Sequence, residues 1–168
     1  ELTLTVTDPD GLSDTSVTSV EVFAPMVGGS TDGKGSFLWP ETGDETDFTF
    51  TMSHDKKGNP KGRLVLLRNP LEGKYKVTCS GVNDLSIGYS STGMYFARFE
   101  GECNYVVPGS KRTPGTFEVY VEDGSVGDRF WIRVRDLKGG PVPGLSMALG
   151  PVGNAAVVSD GSIITVTP

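Results

Sequence analysis

An all-β, antiparallel fold of the β-sandwich or jelly-roll kind, preceded by an N-terminal β-hairpin or donor strand, is what this sequence predicts. Three observations lead there. Apolar and polar residues alternate over short runs, the period-two signature of strands with one buried face. Glycine (23) and proline (11) punctuate those runs often enough to suit many short strands joined by turns. No window of about 11 residues holds apolar positions three and four apart without Gly or Pro interrupting, so no amphipathic helix is expected.

The elements follow in order. Leu2, Leu4 and Val6 alternate with Thr3, Thr5 and Thr7. Asp8-Pro9-Asp10-Gly11 is a turn cluster, and Val17, Val20 and Val22 open a second β-branched run. Residues 1–23 therefore read as a hairpin, 24–47 as linker and loop, and 48–168 as a sandwich module. In the linker, Ala24–Gly35 is rich in turn formers, Ser36–Trp39 is a short apolar run stopped by Pro40, and Glu41–Asp47 is an acidic loop. Strands are expected over Phe48–Ser53, Gly62–Arg68, Lys74–Cys79, Asp84–Tyr89, Met94–Tyr105, Thr116–Glu122 and Asp128–Arg135. A closing hairpin follows, Ala155–Val158 and Ser162–Thr167, turning at Asp160-Gly161. Phe117, Val119 and Val121 share one face, as do Phe130, Ile132 and Val134. That leaves Tyr120 and Trp131 on the outward side, beside Arg129, Arg133 and Arg135, which are expected to pair across strands with Glu118 and Glu122.

The stretch Thr5-Val-Thr-Asp-Pro-Asp-Gly-Leu-Ser-Asp14 resembles the last two strands of a PKD-type immunoglobulin-like repeat, a module of secreted and surface proteins. From Phe48 onward the order of motifs is similar to a β-sandwich module that follows such repeats in prokaryotic secreted proteins. Lys61-Gly-Arg-Leu-Val-Leu66, Tyr75-Lys-Val-Thr-Cys79, Phe99-Glu-Gly-Glu-Cys-Asn104 and Asp123–Asp136 carry that likeness. Leu137–Asn154 departs from it with a longer loop. The resemblance implies an extracellular or cell-surface location and brings no catalytic motif.

Composition narrows the function further. A net charge of −6 argues against a nucleic-acid partner, because phosphate binding needs a basic face. No apolar run approaches the roughly 18 residues of a membrane-spanning helix. The chain opens at Glu1, which reads as a processed or excised product. His54 is the sole histidine, so neither a zinc site nor a Ser-His-Asp triad finds its parts easily. Asp8, Asp10 and Asp14 are the calcium candidates, although they lack the distal glutamate of an EF-hand loop and suit turn-closing hydrogen bonds equally well. Cys79 and Cys103 are expected to form a disulfide, given the extracellular look of the rest of the chain, with two buried thiols as the alternative. Trp39, Tyr75, Tyr89, Tyr95, Tyr105, Tyr120 and Trp131 are candidates for a sugar platform, with Tyr120 and Trp131 foremost.

A non-enzymatic structural or adhesive module is the resulting expectation. It associates with itself through addition of its N-terminal strand, with Leu2, Leu4, Val6, Val17, Val20 and Val22 as the assembly residues, into a polymer or filament. The alternative is a carbohydrate-binding accessory module of a secreted enzyme, with polysaccharide as ligand.

Overall fold

A computed structural model of the chain describes residues 2–7, 13–18, 28–89, 94–151 and 154–166, the first two segments by their backbone pairing. Every regular element among them is a strand. β1 (Leu2–Thr7) and β2 (Ser13–Thr18) form a two-stranded sheet of their own. β3 (Ser30–Leu38), β4 (Glu45–His54), β5 (Pro60–Arg68), β6 (Tyr75–Tyr89), β7 (Tyr95–Val106), β8 (Thr113–Asp123), β9 (Arg129–Arg135) and β10 (Ala156–Val166) close into one antiparallel barrel. Each strand pairs with the next in sequence, and β10 returns to β3.

This corrects the sandwich or jelly-roll expectation. Alternation identifies which residues face a core, but a meander and a Greek key carry the same alternation. Three local readings change with it. The predicted linker contains β3, which pairs with β4 along Ser30–Leu38 and with β10. The two strands expected within Lys74–Tyr89 are a single 15-residue strand whose register slips twice, between Cys79 and Gly81 and between Val82 and Asp84. Such bulges bend and coil a strand without ending it, and curvature of that kind lets a sheet close on itself. Likewise β10 runs straight through Asp160-Gly161, with a bulge just before them between Val158 and Asp160 in place of the hairpin turn. Gly161 has φ of +99°, and a side chain there would collide with the carbonyl of Lys34, so only glycine lets β10 lie this close to β3.

The barrel is filled, as eight strands leave room only for side chains. Phe130 of β9 lies at its middle, with ring centroids 4.6 Å from Phe48 and 5.2 Å from Phe37. Phe50 bridges from there to Phe99 at 5.2 Å. β3 faces this crowd with Thr31 and Gly33, and a Cβ on Gly33 would strike the Phe50 ring. Small residues read as linker composition are thus the space that the phenylalanines occupy.

The closing seam is short. β9 and β10 share only Ala156↔Phe130 and Val157↔Arg129. Beyond them the β8–β9 turn supplies acceptors from its side chains: Asp128 takes the Ile163 amide at 2.6 Å and Asp123 takes the Thr165 amide at 2.8 Å. On the other side, residues 141–149 lie along the free edge of β9. Val142 N donates to Val134 O, Met147 N donates to Ile132 O, and Ser146 Oγ donates to Val134 O at 2.6 Å. The long loop noted in the sequence is therefore an edge cover for β9.

Candidate functional site

Among the described residues the N-terminal hairpin has an unpaired edge on each strand, and the barrel wall is short of pairing where β5 meets β6 only over Val65–Arg68 and Tyr75–Thr78. The hairpin's register is regular over six pairs: Leu2, Leu4 and Val6 stand opposite Thr18, Ser16 and Asp14, while Val17 stands opposite Thr3. β2 therefore begins before the valine run proposed from sequence. Val20 and Val22 lie outside the described residues, as do Asp8 and Asp10, and Asp14 belongs to β2. No ladder among the described residues joins the hairpin to the barrel. Among the described residues no group of three or more His, Cys, Asp or Glu is placed to hold a metal ion, and no helix is long and apolar enough to cross a membrane.

The aromatic platform needs correction. Tyr120 and Trp131 do face outward, on the opposite side from Val119 and Ile132, but both are buried, at 4% and 0% exposure. Phe96 stacks on Tyr120 at 5.9 Å, and the Tyr120 hydroxyl donates to Glu122 at 2.9 Å. Trp131 Nε1 donates to Leu149 O at 2.7 Å, under the edge-covering segment. Neither ring offers a face to a sugar. Trp39 and Tyr105 are buried too, whereas Tyr89 and Tyr95 are exposed and meet edge to face at 5.0 Å.

His54 is tied into the fold: its Nε2 lies 3.1 Å from Leu85 O, linking the end of β4 to β6. The turn carboxylates behave as their sequence positions suggest. Asp55 accepts from the Lys57 and Asn59 amides, and Asp136 from those of Lys138 and Gly140. The expected cross-strand ion pairs form only in part. Arg129 approaches Glu122 at 3.7 Å, but Glu118 is taken by Arg98 at 2.9 Å, leaving Arg133 to stack over Trp131 with its guanidinium 5.0 Å from the ring.

Sequence reasoning missed Arg68. At the end of a strand it looks like a solvated charge, yet it is 2% exposed. Its guanidinium sits 5.0 Å from both the Trp39 and Tyr75 rings. Nη1 donates to Gly144 O at 3.0 Å, and Nη2 donates to Thr42 Oγ1 at 2.6 Å and Asp44 Oδ2 at 2.5 Å. One side chain thus ties the β3–β4 turn to the edge-covering loop, closing that end of the barrel. The Trp-Pro-Glu-Thr-Gly-Asp run, Trp39–Asp44, was the available signal: a tryptophan beside a turn-forming acidic cluster.

Hydrogen bonds from Thr42 and then Arg68 hold the Asp44 carboxyl below its ordinary range, and those from Asn59 and Lys57 do the same for Asp55. A lowered folded-state value means the unfolded chain binds the proton first, so stability rises with pH through this window. Both contributions should be complete above about pH 4 and lost as pH falls further. Urea midpoints between pH 5 and pH 2 should drop accordingly, less steeply in Asp44→Asn and Asp55→Asn.

Cys79 and Cys103 are direct register partners across β6 and β7, present as free thiols. Burial pushes the Cys103 thiol up to about 12, with the neighbouring Cys79 adding to the shift. The unfolded chain loses that proton first, so stability should fall as pH climbs from about 9 towards that value. At neutral pH, iodoacetamide should label native Cys103 far more slowly than the unfolded chain, because the thiolate is the nucleophile.

Comparison with protein-family models, with curated proteins and with solved structures returns no match.

Proposed function

We infer that the chain is a non-catalytic structural module of a larger secreted or cell-surface protein, and that it associates with copies of itself through the hairpin of β1 and β2. The observation that carries this is the distribution of sheet edges. Each barrel strand has a neighbour on both sides, although the β5–β6 and β9–β10 ladders are short, whereas a two-stranded sheet has an unpaired edge along the whole of each strand. Isolated hairpins are marginal in water, and pairing with another strand satisfies their backbone groups and adds to their stability. On this reading strand addition runs hairpin to hairpin. A barrel is far wider than the roughly 10 Å that two strands occupy along a growing sheet, so crowding favours small assemblies over unlimited stacking.

Light scattering of the purified full chain, compared with a form lacking residues 1–27, tests this. The full chain should give a dimer or small oligomer whose mass rises with concentration, and the shortened form a monomer with an unchanged barrel melt. Equal monomeric masses would defeat the reading.

The extracellular setting adds a disulfide between Cys79 and Cys103. Closing a loop of about 25 residues would contribute about 3 kcal/mol in the chain-entropy model. Protein secreted into an oxidising medium should lack two hydrogens by intact mass, and reduction should restore them. Two free thiols in such material would count against both the bond and the location.

A further inference from the structure

A second site lies on the barrel wall, independent of the hairpin. A depression of about 210 Å³ is lined by Asn83, Glu100, Thr116, Glu118, Arg133 and Arg135. Its shape comes from the double bulge of β6, which places Asn83 between the two stretches that keep register with β7. Its charge comes from the incomplete ion pairing of β7, β8 and β9. The register puts Glu100, Glu118 and Arg133 in one row across the three strands. The simple outcome would be an Arg133–Glu118 pair. Instead Arg98 binds Glu118 at 2.9 Å and approaches Glu100 at 3.6 Å, partly neutralising both carboxylates.

Arg133 and Arg135 therefore have no carboxylate partner among the described residues. Arg135 Nη1 has only the Gly139 carbonyl, at 3.3 Å. Two residues apart on β9, they are separated by about 7 Å along the strand and lie on the same face. Arg133 is also preorganised. It stacks on Trp131, and that ring is itself fixed by its hydrogen bond to Leu149. A planar guanidinium held this way gives up little freedom when it forms a forked bond to an oxyanion. In a chain of net charge −6, two uncompensated guanidiniums side by side reverse the local sign.

The opposite wall selects among oxyanions. Glu100 and Glu118 would repel a dianion such as sulfate or phosphate, yet each still has lone pairs for hydroxyl donors. Asn83 and Thr116 add neutral polar groups between the two walls. We propose that this depression binds a hydroxylated monocarboxylate, a sugar acid by chemical class. Its carboxylate sits on Arg133 and Arg135, and its hydroxyls donate to Glu100 and Glu118.

Calorimetric titration of the full chain with D-glucuronate at low salt tests the assignment, with D-glucose and sulfate as comparison probes. Amide chemical shifts at Asn83 and Thr116 provide a second readout. Glucuronate should bind with millimolar affinity and shift those amides, while glucose, lacking the carboxylate, should do neither. Arg133→Gln and Arg135→Gln should each weaken binding by about tenfold, and Lys34→Gln, which removes the same charge from β3, should leave it unchanged. Glucose binding as well as glucuronate, sulfate binding more tightly, undiminished affinity in both arginine variants, or no binding at all would each overturn the proposal. Because Arg135 does not stack on Trp131, its variant keeps the test valid if Arg133→Gln disturbs the fold.

Discussion

Replacing Arg68 with alanine is expected to destabilise the barrel by about 3 kcal/mol, near the lower end of what breaking a buried ion pair costs, since Asp44 keeps some contact with water. Urea unfolding at pH 7 would measure it. The change removes the bonds to Gly144, Thr42 and Asp44 and leaves a void between the Trp39 and Tyr75 rings. Arg68→Met separates these contributions. Methionine fills the space between the rings but cannot bond, so it should recover part of the loss. Full recovery would mean that packing alone matters at this end, and that the hydrogen bonds add no net stability.

Phe130→Ala should cost about 3 to 5 kcal/mol, the range for deleting a buried aromatic ring. It stands at the upper end of expectation because Phe37, Phe48 and Phe50 all pack on this ring, at 5.2, 4.6 and 6.3 Å, and a closed barrel cannot collapse far into the space left. Phe130→Leu keeps most of the volume and should cost much less. Thermal and urea unfolding of both variants would check the order. A loss below about 1 kcal/mol for the alanine variant would mean that the rings repack around the gap.

The strands β4, β5, β7, β8 and β9 were legible because their inward residues are large and regular. Phe48, Phe50 and Met52, then Phe117, Val119 and Val121, alternate cleanly with polar neighbours, and burial follows that alternation. β3 was illegible for the complementary reason. Thr31 and Gly33 turn small groups to the core and Gly35 lies against the β10 backbone, a composition that locally means loop and acquires its strand identity only from β4 and β10. The bulges of β6 and β10 read as turns because a glycine beside polar residues ends a strand as often as it bends one. Tyr120 and Trp131 were correctly placed on the outer side, but nothing in their own strands reveals that residues 141–149 fold back over that edge. At the wall depression, the alternating arginines and glutamates were visible. The choice of Arg98 over Arg133 as the partner of Glu118 depends on side-chain reach, which a linear pattern does not carry.

The return of β10 to β3 governs when this protein can finish folding. On the ribosome, six hairpin contacts between neighbours, β3 with β4 through β8 with β9, can form as each strand emerges, yet Ile163 must meet Gly33 across most of the domain. Until that last strand leaves the exit tunnel, the nascent sheet curls with its phenylalanine face open at one side. Topologies that depend on such distant pairings fold slowly. In this interval the growing chain would be most exposed to misassembly and would rely most on chaperones.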